Sequence, residues 1–327
     1  MASIQCFLCA LSLFAPLCVL AEAALTLPSR HGWEIKICLI EDGENQHPGT
    51  SVRAKEAYYR ELFLSVSRRL ELLGTGTFHF VRKGFLTLSH EQSQALFVST
   101  GRTANIDEVF LQWKSTLAKK FTTQTHGKHV VVLITRRTVT ARNGDGGNGF
   151  ALKGGMCTRD NIVLVKDDGS FSAVNLLVKL LVHSMGVDMD GVGAAGYCQK
   201  DEGHLMGTDL HLPLTFSHCT KRLLQDALRK HTCLKKVAAS KAAQTLPLPP
   251  LITRVAYCSA LSLTHCDKWG MGSLASLTYE EKFCFIFCCK GMGPPEKMVA
   301  PDGLQCGKDV TGITDRRCIN GECVQVN

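Results

Sequence analysis

The chain has 327 residues, 45% of them hydrophobic and 20% charged, which is enough for one full core plus a smaller module. Lys and Arg (37) outnumber Asp and Glu (29), for a formal charge of +8, but no reader motif for nucleic acid accompanies the excess, so no nucleic-acid partner is expected. After the N-terminal run no stretch reaches about 18 apolar residues, so no membrane span is expected in the mature chain.

Residues 7–20 are apolar and are followed by Ala21-Glu22-Ala23, the A-x-A pattern of a signal peptide cleaved after residue 23. Cleavage removes Cys6, Cys9, Cys18 and one acid (Glu22) but no base, so 13 of the 16 cysteines remain and the charge rises from +8 to +9. Residues 34–40 alternate and are rich in Ile, which predicts the first strand. Over residues 50–73, Tyr58, Leu62, Val66 and Leu70 recur at helical spacing, and Gly74 stops the helix. Residues 78–88 read as a second strand, 107–121 as a second helix, and 129–135 as a strand apolar enough to be buried on both faces. A glycine-rich turn at 144–149 leads into an edge strand over 150–153. No Gly-Lys-Ser/Thr follows it, which excludes a phosphate loop. A last strand over 161–166 and a helix over 171–185 complete an α/β alternation, which predicts a mixed, twisted sheet with helices and a cleft beneath its edge strand.

Residues 237–252 carry three prolines and read as a linker. Beyond it Cys258, Cys266, Cys284, Cys288, Cys289, Cys306, Cys318 and Cys323 define a small stapled module, whose eight cysteines allow 105 pairings. The expected division is a signal peptide (1–23), a domain (24–236), a linker (237–252) and a cysteine-rich module (253–327). Thiols in an exported chain are read as disulfides. Cys38, mid-strand, is the odd one, read as a buried free thiol, with an intermolecular bridge as the alternative. Lys221, Arg222, Arg229, Lys230, Lys235, Lys236 and Lys241 bunch together, either as a solvated helix face or as an anion-binding site for a sulfated glycan. No Asn-x-Ser/Thr sequon occurs, so N-glycosylation is not expected.

Residues 179–191 read Lys-Leu-Leu-Val-His-Ser-Met-Gly-Val-Asp-Met-Asp-Gly. They align with H-E-x-x-H-x-x-G-x-x-H, in which a helix presents two imidazoles one turn apart and a turn brings back a third. His183, Gly186 and the trailing Asp190-Gly191 fit. The zinc-ligand positions at either end hold Lys179 and Met189, and the general-base position holds Leu180. Further landmarks are Gly149-Phe150-Ala151 through Gly154, Met156 and Cys157; His204-Leu205-Met206 at a Met-turn; Phe216-Ser217-His218-Cys219; and Cys233-Leu234. Over residues 34–236 the chain thus resembles the reprolysin (adamalysin, ADAM and ADAM-TS) metalloproteases of the metzincin group, most closely the secreted salivary versions from ticks, and residues 301–323 resemble the cysteine-rich ancillary region of ADAM-TS-like proteins. The resemblance implies a metzincin-like sheet domain with pairs Cys157–Cys233 and Cys198–Cys219, and Met206 beneath the site.

It also implies a chemistry that these residues do not supply. The family's reaction needs three neutral imidazoles around Zn²⁺ and a glutamate to take a proton from the bound water. Leu180 accepts no proton, a protonated Lys179 has no lone pair and repels a dication, and the Met189 thioether is a soft ligand. No catalytic residue and no cofactor is therefore expected. His204 and His211 joining His183 in an unusual site is the disfavoured alternative. A Ser184–His183 triad is rejected, because adjacent helical residues point to different faces. A buried ammonium needs a partner, and Asp188 and Asp190 are the expected ones. Cleavage at residue 23 leaves about ten residues before the first strand, too few for an inhibitory pro-segment. Two functions follow: a secreted, monomeric, inactive homologue that binds an extracellular host protein or sulfated glycan, its edge strand serving for strand addition, or an active zinc metalloendopeptidase with atypical ligands.

Overall fold

The computed structural model describes residues 32–43, 51–97, 103–117, 129–140, 148–208, 211–238, 246–261, 263–266, 284–290, 296–306 and 316–326. The signal peptide and Lys241 lie outside them. The sheet domain runs β1 (Gly32–Glu41), α1 (Val52–Glu71), β2 (Thr77–Thr87), α2 (His90–Leu96), β3 (Thr103–Asn105), α3 (Ile106–Gln112), β4 (Val130–Thr135), β5 (Thr138–Thr140), β6 (Gly149–Ala151), β7 (Ile162–Lys166), α4 (Ala173–Ser184), α5 (His218–Lys230) and β8 (Lys235–Val237). Strands β2-β1-β4-β7 are parallel and β6 closes that order antiparallel to β7, while β8 pairs antiparallel with the start of β1. The mixed α/β sheet is the one that the alternation predicts.

The run Val-Val-Val-Leu-Ile-Thr of β4 is buried throughout because helices and loops cover both faces of the sheet. On one face Leu62, Val66 and Leu70 of α1, Leu177 and Leu181 of α4, and Leu224 and Leu228 of α5 form one cluster with Ile35, Val132 and Val163. Each such aliphatic side chain contributes about 1.5–3 kcal/mol by leaving water. On the other face Trp113, Val109 and Phe97 pack on Ile40, Leu133 and Leu164. Cys38 belongs to this second cluster, is 8% exposed and forms no disulfide.

Several boundaries differ from the sequence reading. The helix expected over 107–121 is α-helical only through Gln112 and continues as a π-helical turn, Trp113–Leu117, where Trp113 enters the second core. The edge strand ends at Ala151 rather than 153, and Lys153, beyond it, reaches Asp188. Helix α2 was not anticipated, although Ser89 and Gln92 form its capping box. Neither was the small parallel pair β3–β5, nor β8, which carries the domain through Val237.

The module contains α6 (Arg254–Ala260), β9 (Thr264–His265), β10 (Phe285–Cys289), β11 (Glu296–Val299), β12 (Arg316–Ile319) and β13 (Glu322–Gln325). Disulfides join Cys258 to Cys288, Cys266 to Cys289, Cys284 to Cys318 and Cys306 to Cys323. The proline-rich stretch is held along its described part. Arg68 donates to Pro247 O at 2.6 Å, Arg317 to Pro249 O at 2.6 Å, and Ile252 pairs with Leu304. The last turn of α1 meets the module through Arg69, which bonds Asp302 at 2.6 Å and also donates to Asn320 Oδ1.

Candidate functional site

Helix α4 is apolar on nearly every side, with Leu177, Val178, Leu181 and Val182 fully buried. It ends because Gly186 adopts φ +97, the left-handed conformation that favours glycine after a helix. The Gly154 and Met156 amides donate to His183 O and Ser184 O, carbonyls of the last helical turn, the first of which also accepts the Gly186 amide. This docks the loop after the edge strand onto the end of α4, and Cys157–Cys233 pins the same loop to the segment between α5 and β8. Ser184 is buried and its hydroxyl donates to Leu181 O.

Lys179 and His183, four residues apart, share one face of α4. His183 Nδ1 lies 2.9 Å from Val187 O. A carbonyl only accepts, so Nδ1 carries the proton and Nε2 keeps its lone pair; burial pushes the imidazole pKa down and favours this neutral form. Lys179 Nζ donates to Gly207 O at 2.5 Å. Burial pushes its pKa down too, while Asp190 acts in the opposite sense without forming an ion pair. The expected partnership with Asp188 or Asp190 is therefore corrected. Asp188 is engaged by Lys153 at 2.5 Å and by the Ala194 amide at 3.0 Å. Asp190 accepts Ser217 Oγ at 2.6 Å, and its second oxygen has no hydrogen-bond partner among the described residues. What secures Lys179 is a backbone carbonyl one residue beyond Met206, which no side-chain pattern announces.

Leu180 is 5% exposed and closes the space under the edge strand. A Cβ added to Gly149 would stand 2.7 Å from Leu180 Cδ1, so the absence of a side chain there is what lets the leucine lie against β6. Met189 is half-buried against the main cluster, Met206 is fully buried, and Met206 O accepts the Asp190 amide at 3.1 Å.

The donors at this corner do not fit zinc. One neutral imidazole, one ammonium and one thioether provide neither the ligand count nor a proton acceptor. His204 lies 2.8 Å from Thr215 Oγ1 and 3.7 Å from Glu202, and the His211 ring lies against Gly203. Among the described residues two groups have metal-ligand proximity, Cys198 with His218 and Cys219, and Cys284 with Cys306 and Cys318. Neither contains His183, and all five cysteines are in disulfides, Cys198–Cys219 among them.

The basic cluster is not one helix face. Lys221, Arg222, Arg229 and Lys230 are exposed on α5, whereas Lys235 and Lys236 are exposed on β8, with Lys236 5.4 Å over the Trp33 ring. β8 is not legible in the sequence, because Lys-Lys-Val shows no apolar alternation. Nor are the roles of Lys153, Gly207 and the Arg69–Asp302 pair, each joined to its partner only by the fold.

Residues 94–237 match the model of the reprolysin (M12B) family zinc metalloproteases, so this stretch is metalloprotease-like. The mouse protein "A disintegrin and metalloproteinase with thrombospondin motifs 13" is 27% identical over 158 residues, which is 46% of this chain and 11% of that relative's length. Among solved structures, archaemetzincin from Methanopyrus kandleri is 15% identical, covers 63% of this chain and 100% of its own, and has a TM-score of 0.37. Metalloproteinase-II from Bacteroides fragilis is 13% identical, covers 60% and 53%, and has a TM-score of 0.38. Among the described residues no helix is long and apolar enough to cross a membrane.

Proposed function

We propose that this chain is a secreted, catalytically inactive metalloprotease homologue of the tick salivary kind, acting as a monomer that binds an extracellular host protein or a sulfated glycan. The observation that carries this reading is the Lys179–Gly207 hydrogen bond. It holds an ammonium at the position where the family presents its first imidazole, beside a leucine that buries the general-base position. A cation there opposes a dication, and an aliphatic chain cannot move a proton. Supporting the binding role are β6, whose outer edge pairs with no strand among the described residues, and the six exposed cations of α5 and β8. The first suits strand addition and the second a polyanion.

Zinc stoichiometry of the purified full chain, with its melting temperature in EDTA, tests the reading. Substoichiometric metal and an unchanged melting temperature are expected. One zinc per chain, or a melting point several degrees lower in chelator, establishes instead the atypical-ligand metalloendopeptidase, for which the unprotonated His183 Nε2 would be one ligand.

A further inference from the structure

Beside Lys179 lies a cavity of about 370 Å³, bounded by α4, the segment 205–208 and the module segment 298–302. Phe171, Val174, Leu176, Leu205 and Met298 give it an apolar wall. Its charged groups are Arg69, Asp302 and Lys179. Arg69 is already paired with Asp302 at 2.6 Å, their side chains 2% and 0% exposed, and Arg68 shares the same carboxylate at 3.6 Å. Lys179 forms no ion pair among the described residues, and Asp190 acts on it only from beyond ion-pair distance. Its bond to Gly207 O uses one of three N–H donors, and among the described residues no carboxylate lies within ion-pair distance.

We propose that this cavity binds a carboxylate borne on an apolar body, with the carboxylate on the Lys179 ammonium and the body against Phe171, Leu176 and Met298. The inference rests on the binding reading above and names the ligand chemistry of that same site. A half-buried ammonium whose direct hydrogen bond goes to a neutral carbonyl, with Asp190 acting only from farther off, is under-compensated, and an incoming carboxylate replaces water with a charge-assisted hydrogen bond about twice as strong as a neutral one. The volume falls within the range of roughly 300–1,000 Å³ typical of small-ligand sites. A peptide C-terminus with a bulky apolar last residue and an acidic side chain next to an apolar one offer the same chemistry.

Calorimetry on the full chain distinguishes them with three probes: N-acetyl-Leu-Phe as the free acid, the same dipeptide as its amide, and N-acetyl-Glu-Phe-amide. The free acid should bind at least about tenfold more tightly than its amide, the worth of one charge-assisted contact. Binding of the glutamyl amide alone would support the same site with a side-chain source. Lys179→Met should erase the preference for acid over amide. If that variant fails to fold, Met298→Trp, which narrows the cavity and leaves Lys179 in place, should weaken the acid instead. Equal binding of acid and amide, no binding of any probe, or a preference that survives in both variants overturns the proposal. A zinc-free chain that ignores carboxylates loses this inference alone, whereas a zinc-loaded chain loses the inactive-homologue reading whatever the peptides do.

Discussion

In the sheet domain, Leu62, Leu133, Val163 and Leu177 are wholly buried in two continuous apolar clusters, one on each face of the sheet. In the cysteine-rich module the corresponding cluster has nine buried residues among those described, and five of them, Cys258, Cys284, Cys288, Cys306 and Cys318, are in disulfides. The domain is held by area removed from water, the module by covalent bonds that limit its unfolded state and by what it leans on. Leu212 of the domain packs against the module's cluster as well as its own, and Arg68 and Arg69 of α1 face Asp302 at 3.6 and 2.6 Å. A unit this small rarely has enough core to stand alone, so its position beside Lys179 depends on that contact.

Breaking the contact should have the largest effect. Asp302 is 5% exposed, accepts Arg69 and the Asn320 amide, and is the only carboxylate within 4 Å of either arginine among the described residues. Asp302→Ala would leave two guanidinium groups in a dry junction, where removing one partner of a buried pair costs about 3–5 kcal/mol. Denaturant unfolding followed by tryptophan fluorescence should show a lower midpoint, and limited proteolysis should release the module before the sheet domain is cut. A midpoint shift below about 1 kcal/mol would mean that the four module disulfides hold it unaided.

How far this was legible follows from how each feature is encoded. β1, β4 and β7 and helices α1 and α4 were readable because burial imposes a local period on their own residues. The substituted corner was readable as well, since Lys179, Leu180, His183 and Met189 sit at a spacing that is itself a chemical statement. What holds the corner was not. Lys179 relies on the carbonyl of Gly207, a backbone group that any residue offers, and Asp188 is engaged by Lys153 from beyond the edge strand. The nearby acids looked like partners because they were close in sequence, but Asp190 is turned toward Ser217. Arg69 and Asp302 lie on different units, and no local period links them.

A smaller effect should appear where the sheet's carboxyl edge approaches the module. Asp167 is fully buried just after β7 and accepts the Tyr58 hydroxyl at 2.7 Å. Burial outweighs these hydrogen bonds and pushes its pKa up to about 6, with Asp168 adding to the rise. Folded Asp167 thus holds its proton more tightly than the unfolded chain, whose value is near 3.8. Its contribution is fully present below that value and is lost as pH rises through about 6. Asp167→Asn should therefore gain stability relative to the wild type between pH 4 and 7.5, by about 2 kcal/mol at most. Melting curves of both proteins across that range check it; a gap independent of pH means that Asp167 titrates near its unfolded value.

The smallest effect per residue belongs to the exposed cations, and it separates the two regions by charge rather than by packing. Lys221, Arg222, Arg229, Lys230, Lys235 and Lys236 all stand in solvent on α5 and β8 of the sheet domain. Each alone adds a screened attraction of a few tenths of a kcal/mol to about 1 kcal/mol toward a polyanion, so only their sum gives retention. The full chain should stay on heparin resin above physiological salt, where the Debye length is about 8 Å, and elute as salt rises further. Reversing Lys235 and Lys236 to Glu should lower the eluting salt more than reversing Arg229 and Lys230. The strand pair is anchored, with β8 bonded to β1 and Lys236 set over the Trp33 ring, whereas Arg229 faces Asp226 at 3.9 Å within α5 and is partly compensated. Elution at or below physiological salt would remove the glycan from the partners of this surface. Equal losses from the two pairs would show that the polyanion responds to net charge alone and not to the fixed position of β8.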